Sequence, residues 1–147
     1  MEIRTLQFKD DLWDSVIQYA KNCLWKAGPY LSTLMLENGF TEWERVFVAS
    51  EGVNIAGYCT IVKKDCIPDV SYTPYISHVF VGEEFRGQRL SEQMIKFVLT
   101  YAKHIGFKEV FLVSGEKGLY EKYGFTKIDD KKDFWGNEEQ IFHINIK

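Results

Sequence analysis

The chain has 147 residues, 46% hydrophobic and 27% charged, which fits one ordinary domain and excludes disorder as its main state. A core of that size needs no metal or disulfide staple. Eighteen basic against 21 acidic residues leave a formal charge of −3, so no basic footprint for nucleic acid is present. Cys23, Cys59 and Cys66 are odd in number and form no zinc-like spacing, so free thiols in a reducing compartment are expected. The first residues lack the apolar centre of a signal peptide, and no run of about 18 apolar residues could span a bilayer. The expectation is one soluble, cytoplasmic domain over residues 1–147, with no membrane or nucleic-acid partner.

A first strand is expected within Met1–Phe8, on Ile3, Leu6 and Phe8. Asp10 is the candidate N-cap of a helix whose apolar positions are Leu12, Trp13, Val16, Ile17 and Ala20. Gly28-Pro29 interrupts it, and a second helix follows over Tyr30–Glu37. Val46–Ala49 and Ile55–Val62 read as a hairpin around a loop of about four residues, Glu51 to Asn54. Lys63–Pro74 is polar and reads as a loop.

Tyr75–Val81 is a strand with apolar side chains on both faces. Leu90, Met94, Ile95, Val98, Tyr101, Ala102 and Ile105 form an apolar stripe at helical period, and Gly106 suits its end. Glu109–Val113 is a short buried strand, and Leu119–Tyr123 a short helix stopped at Gly124. Phe125–Ile128 and Gln140–Ile146 would be the last strands. Between them, Asp129–Asp133 reads as a solvated loop. The order β-α-α-β-β-β-α-β-α-β-β gives an α+β layer fold with a mixed sheet of six to seven strands flanked by helices.

The segment from Val79 to Ser91 carries the main chemical signal. A buried strand runs into a tight polar turn that opens a long helix. Free N–H groups at such a helix start, with the helix dipole behind them, suit a pyrophosphate. Arg86 and Arg89 add charge-assisted donors. The bland reading is a helix start with two solvated arginines. A second segment, Gly118 to Phe125, places Tyr120 on a short helix after a strand end, where mere packing is the competing reading.

Together these segments resemble the GNAT superfamily of N-acetyltransferases, over about Thr73 to Phe125. The run Val81, Glu84, Phe85, Arg86, Gly87 matches the family, as does the later run Leu119 to Phe125. Arg89 and Ser91 stand where the family's phosphate loop has Gly and then Gly or Ala. Arg89 could still offer its amide if its φ is negative, and the Ser91 hydroxyl could bind or cap.

The resemblance implies acetyl-CoA as co-substrate, with no metal. The strand ending at Val81 would splay from the next strand. The pantetheine arm would lie along Val79, Phe80 and Val81, and the pyrophosphate on Arg86, Gly87, Gln88, Arg89, Leu90 and Ser91. An N–H near Val79 would stabilise the oxyanion. Tyr120 takes the place of the general acid. The places where relatives carry a base fall on Tyr75 and Ser77. His78 is adjacent, but strict alternation turns it to the opposite face unless a β-bulge re-aims it. A water held by Ser77 and Tyr75 is the competing base.

The implied function is acetyl transfer to a small-molecule or peptide amine by direct attack in a ternary complex, by a monomer or homodimer. The alternative is a silent acyl-CoA-binding regulatory module. No sequence partner pairs Cys59 or Cys66 with a base, which disfavours an acyl-cysteine route. Asp65 and Asp69 in the Lys63–Pro74 loop favour a cationic acceptor. His104 reads as a helix-end residue, His143 as solvent-facing, and most of Trp13, Trp25, Trp43 and Trp135 as core.

Overall fold

The computed structural model describes residues 1–23 and 27–147. Its strands are β1 (Glu2–Leu6), β2 (Arg45–Glu51), β3 (Asn54–Val62), β4 (Tyr75–Val81), β5 (Glu109–Ser114), β6 (Thr126–Lys132) and β7 (Glu138–Asn145). Its helices are α1 (Trp13–Lys21), α2 (Ala27–Leu36), α3 (Leu90–Ile105) and α4 (Leu119–Lys122). The seven strands make one sheet in the order β1-β2-β3-β4-β5-β7-β6. Every neighbouring pair is antiparallel except β4 and β5.

Two apolar layers sandwich the sheet. On one face Met94, Ile95 and Val98 of α3 and Tyr120 of α4 pack on Ala56, Cys59, Ile76 and Leu112. On the other, Trp13, Val16 and Ile17 of α1 and Leu31 and Met35 of α2 pack on Val46, Val48 and Tyr58. The strand residues alternate between the layers, as the pleat requires. The α3 stripe is buried as its periodicity predicts, except that Tyr101 is half-buried and Ile105 is exposed at the helix end. Gly106 closes α3 with φ 113°.

Several local expectations are corrected. Asp10 does not cap α1: its carboxylate accepts the Gln7 amide, and the helix starts after Leu12. Gly28 and Pro29 lie in the first turn of α2, where a proline's missing N–H costs nothing. The β2–β3 hairpin turns through two residues, Gly52 and Val53, because a bulge at Ala49/Ser50 extends the pairing to Glu51↔Asn54. Asp129–Lys132 is not loop but part of β6, an edge strand dressed in charge. Trp13 is core and Trp43 packs against the core, whereas Trp135 is exposed; Trp25 lies outside the described residues. No helix among the described residues is long and apolar enough to cross a membrane.

Candidate active site

The parallel pair β4 and β5 is joined at only Tyr75↔Phe111 and Ile76↔Leu112. Beyond Ile76 the two strands part, and β4 is held from its β3 side alone, through Phe80↔Tyr58 and Val81↔Gly57. The expected V-shaped gap is therefore present. Gly82 donates its amide to Ala56 at 2.7 Å, towards β3. Alternation then turns the amide and carbonyl of Val81 towards the gap. The Val81 carbonyl is partly engaged there, accepting from Arg86 Nε at 3.2 Å.

After Gly82 the chain makes a short 3₁₀ turn, Glu83–Phe85, and runs through Arg86 to Arg89 into α3. Gly87 has φ 83° with open space around it, and Arg89 has φ 59°. The negative φ allowed for Arg89 is thus corrected: this arginine takes the left-handed turn of the glycine it replaces. Its side chain pairs with Glu92 at 2.8 Å. No side chain caps α3, so its first-turn amides face the loop at the positive end of the helix dipole. Nor does the Ser91 hydroxyl cap: it is bonded to the Tyr123 hydroxyl at 2.7 Å. Arg86 stays exposed, its guanidinium 5.9 Å from the Phe80 ring centre. Leu90 is buried beneath the loop, and the Gln88 carbonyl accepts from Gln93 Nε2 at 3.2 Å.

Tyr120 enters α4 just after Gly118, whose φ of 86° makes the turn. Its ring is wedged among Tyr123, Phe125 and Phe142 at 5.8–6.2 Å between centres. Burial, chiefly, with Glu116 and Tyr123 nearby, pushes its phenol up to about 12, against a small opposing hydrogen bond from Ser114 at the end of β5. The hydroxyl therefore holds its proton throughout the neutral range.

His78 is the main departure from alternation. Between Tyr58/Thr60 on β3 the register with β4 slips, and His78 sits at φ 53°. This bulge turns His78 onto the α1–α2 face, where its ring stacks on Tyr30 of α2 at 6.0 Å. Its Nδ1 lies 2.9 Å from the hydroxyl of the fully buried Thr60. That same hydroxyl donates to the Ser77 carbonyl at 3.1 Å. Burial lowers the His78 pKa, and Asp65 opposes part of that shift.

Thr60 and Tyr30 belong to this site and carried no signal in the sequence, since each meets His78 only through the fold. His143 is corrected: β7 is an inner strand, and His143 is half-buried with Nε2 2.8 Å from Glu109 Oε2. Burial pushes the Cys59 and Cys66 thiols up to about 12, so neither is a thiolate at neutral pH.

The sequence matches the profile of the acetyltransferase (GNAT) family over residues 10–125. The chain belongs to the GNAT acetyltransferase family. Comparison with curated protein sequences finds no match. Among solved structures, the fold is similar to the aminoglycoside 6'-N-acetyltransferase from Enterococcus faecium, with TM-score 0.78, 11% identity, and coverage of 100% of this chain and 98% of that one. It is similar to a GNAT acetyltransferase from Elizabethkingia anophelis with acetyl-CoA bound, with TM-score 0.67, 18% identity, and coverage of 98% and 97%. It is also similar to mutant forms of the spermidine/spermine N-acetyltransferase of Vibrio cholerae, with TM-score 0.67, 16% identity, and coverage of 98% and 93%. In this GNAT chain the hydrogen bond between the Ser91 and Tyr123 hydroxyls, 2.7 Å long, joins the start of α3 to the end of α4.

Proposed function

We propose that this GNAT protein moves the acetyl group of acetyl-CoA to a primary amine, by direct attack of the amine in a ternary complex. The observation that carries this reading is the opening of β4 from β5 directly beside the uncapped start of α3. Acetyl-CoA fits there. The gap has strand amides for a pantetheine arm to pair with, as an added strand would. The loop from Arg86 to Ser91 has free amides and two exposed arginines for a pyrophosphate. The bound thioester supplies an activated acyl group.

The residues around the gap divide the proton work. Thr60 commits its hydroxyl hydrogen to the Ser77 carbonyl, so it accepts from His78, and the His78 hydrogen resides on Nδ1. Nε2 is left with a free lone pair. Burial keeps the ring neutral at pH 7, ready to take a proton from the acceptor's ammonium, whose ordinary pKa is about 10.4. The backbone N–H near Val79 faces the developing oxyanion. Tyr120 keeps its phenolic proton and gives it to the departing thiolate.

A silent binding module would lack a base, and the bulge in β4 offers His78 as one, which supports turnover. The test is a broad amine panel with acetyl-CoA, read by thiol release and product mass. An N-acetylated product is expected. Coenzyme binding with no thiol release from any amine would reverse the reading.

A further inference from the structure

On the α1–α2 face, the Lys63–Pro74 loop and the β6–β7 turn are tied together where Phe134 donates its amide to the Cys66 carbonyl at 2.9 Å. Three carboxylates meet at this junction. Asp133 is buried and fixes the turn, accepting the amides of Trp135 and Asn137 at 2.9 Å each. Asp65 uses one oxygen on the Cys66 amide at 2.7 Å. Glu139 shares the β7 face of Ile141, which packs with Tyr75 and Phe111. Its Oε2 stands 3.9 Å from where a Cβ on Gly115 would lie, beside the open end of β5.

Burial, and then the neighbouring Asp133 and Asp65 carboxylates, raise the Glu139 pKa. Lys131, opposite Glu139 in the ladder, pairs with Asp129 at 3.9 Å instead.

A second observation points to a ligand here. The Tyr75 hydroxyl is buried without a hydrogen-bond partner among the described residues, and the groups acting on it are Asp65, Tyr72 and Cys66. A buried hydroxyl with no partner is costly, and a donor arriving from a ligand would offset part of that cost. The carboxylates do not converge as a metal site would: no group of three metal-ligating side chains exists among the described residues. A small organic cation with several N–H donors answers this arrangement better than a metal ion. Asp65 also acts on His78, which joins the cluster to the proposed base.

We infer that the acceptor carries a second ammonium group besides the amine that reacts, held by Asp65 and Glu139 with the Tyr75 hydroxyl as a further acceptor. The inference rests on the transfer reading for which amine reacts, but the cation site can be measured without turnover. The substrate class is a dication: a primary amine tethered to another protonated amine.

The test is calorimetry with coenzyme A bound, using spermidine, kanamycin and the monocation n-butylamine as probes. Spermidine and kanamycin each carry at least the two ammonium groups required, and at least one of them should bind about 10–100-fold tighter than butylamine, as one or two charge-assisted bonds allow. Spermidine ahead of kanamycin names a linear polyamine, and the reverse names an amino sugar. Asp65→Asn and Glu139→Gln should abolish the preference while coenzyme affinity, which reports an intact sheet, is kept. Tyr75→Phe, which changes neither charge nor shape, should reduce the preference in the same direction. Equal affinity of wild type for dications and butylamine overturns the inference, as does a preference that survives all three variants. A dication preference without thiol release would sink the transfer reading and leave the cation site standing.

Discussion

His78 Nδ1 and Thr60 Oγ1 stand 2.9 Å apart across the β3–β4 bulge, and the Thr60 hydrogen is already committed to Ser77. The pair fixes one tautomer of a half-buried imidazole and leaves Nε2 as its basic nitrogen. Thr60 is thereby a positioning residue for the proposed base.

The first prediction concerns rate against pH. The His78 pKa lies below its ordinary 6.5, so the acid limb of kcat/KM should fall below that value. His78→Asn, which tolerates a positive φ, should lower kcat by about 10²–10⁴ and remove that limb. Thr60→Val should weaken the rate without abolishing it and shift the limb. An unchanged profile in His78→Asn would take His78 out of the chemistry.

The same residue makes stability depend on pH. The folded pKa of His78 is lowered, so the unfolded chain binds the proton first as pH falls. Its contribution is whole above about pH 6.5 and declines as pH falls from there through the folded value. Urea unfolding between pH 7.5 and 5 should show that decline, and His78→Asn should flatten it. Stability that rises on acidification would mean a charged His78 finds Asp65 in the folded state.

These two predictions turn on the part of the site the sequence left hidden. Period and spacing were enough for α3 and its Gly106 stop and for β4, whereas the loop and tyrosine motifs took their meaning from the family resemblance. The signals there are local: an apolar stripe at 3.6 residues, a buried strand running into a polar turn. The bulge at His78 has no local signal, because it is set by which β3 residues pair with β4. Thr60 meets His78 from 18 residues away. The second half of β6, Asp129–Lys132, reads as loop since an edge strand exposed on both faces has no reason to alternate apolar and polar residues. The acidic cluster was half visible, through Asp65. Asp133 and Glu139 join it only once the β6–β7 hairpin folds back on the Lys63–Pro74 loop.

Tyr120→Phe tests the proposed acid. The phenol, raised to about 12, never ionises in the assay range, so its role is donation alone. Coenzyme A affinity should stay within about twofold, and kcat should fall by about 10²–10⁴. Single-turnover thiol release separates this from slow product departure. Wild-type turnover in the variant would leave Tyr120 a packing residue.

Arg89 holds a left-handed turn at a cost of about 1–2 kcal/mol for a residue with a Cβ. Arg89→Gly releases that strain. It gives back about 0.5–1 kcal/mol through glycine's greater freedom when unfolded, and up to about 1 kcal/mol through the lost pair with the half-buried Glu92. The net expectation is a gain of up to about 1 kcal/mol in denaturant unfolding, with coenzyme affinity kept if the loop amides do the binding. Arg86→Ala should instead weaken coenzyme binding and leave the amine's KM alone. Loss of coenzyme affinity in Arg89→Gly would show that the arginine side chain, not the turn, is what the coenzyme needs.

Gly57 faces the backbone of β4 so closely that a Cβ there would stand 2.6 Å from the Phe80 carbonyl oxygen and 3.4 Å from the Val81 Cα. Backbone cannot swing aside as a side chain can. Gly57→Ala must push β4 away from β3, towards the gap. Overpacking of this kind costs about 1–3 kcal/mol, and coenzyme affinity should drop with it. Gly82→Ala is the control: its nearest neighbour at 2.6 Å is the Tyr19 hydroxyl, the far end of a side chain, with the Ala56 carbonyl at 3.3 Å. The control should cost less in both readouts. If Gly57→Ala keeps full coenzyme affinity despite a clear loss of stability, the width of the gap does not govern binding, and the loop at the start of α3 carries the affinity alone.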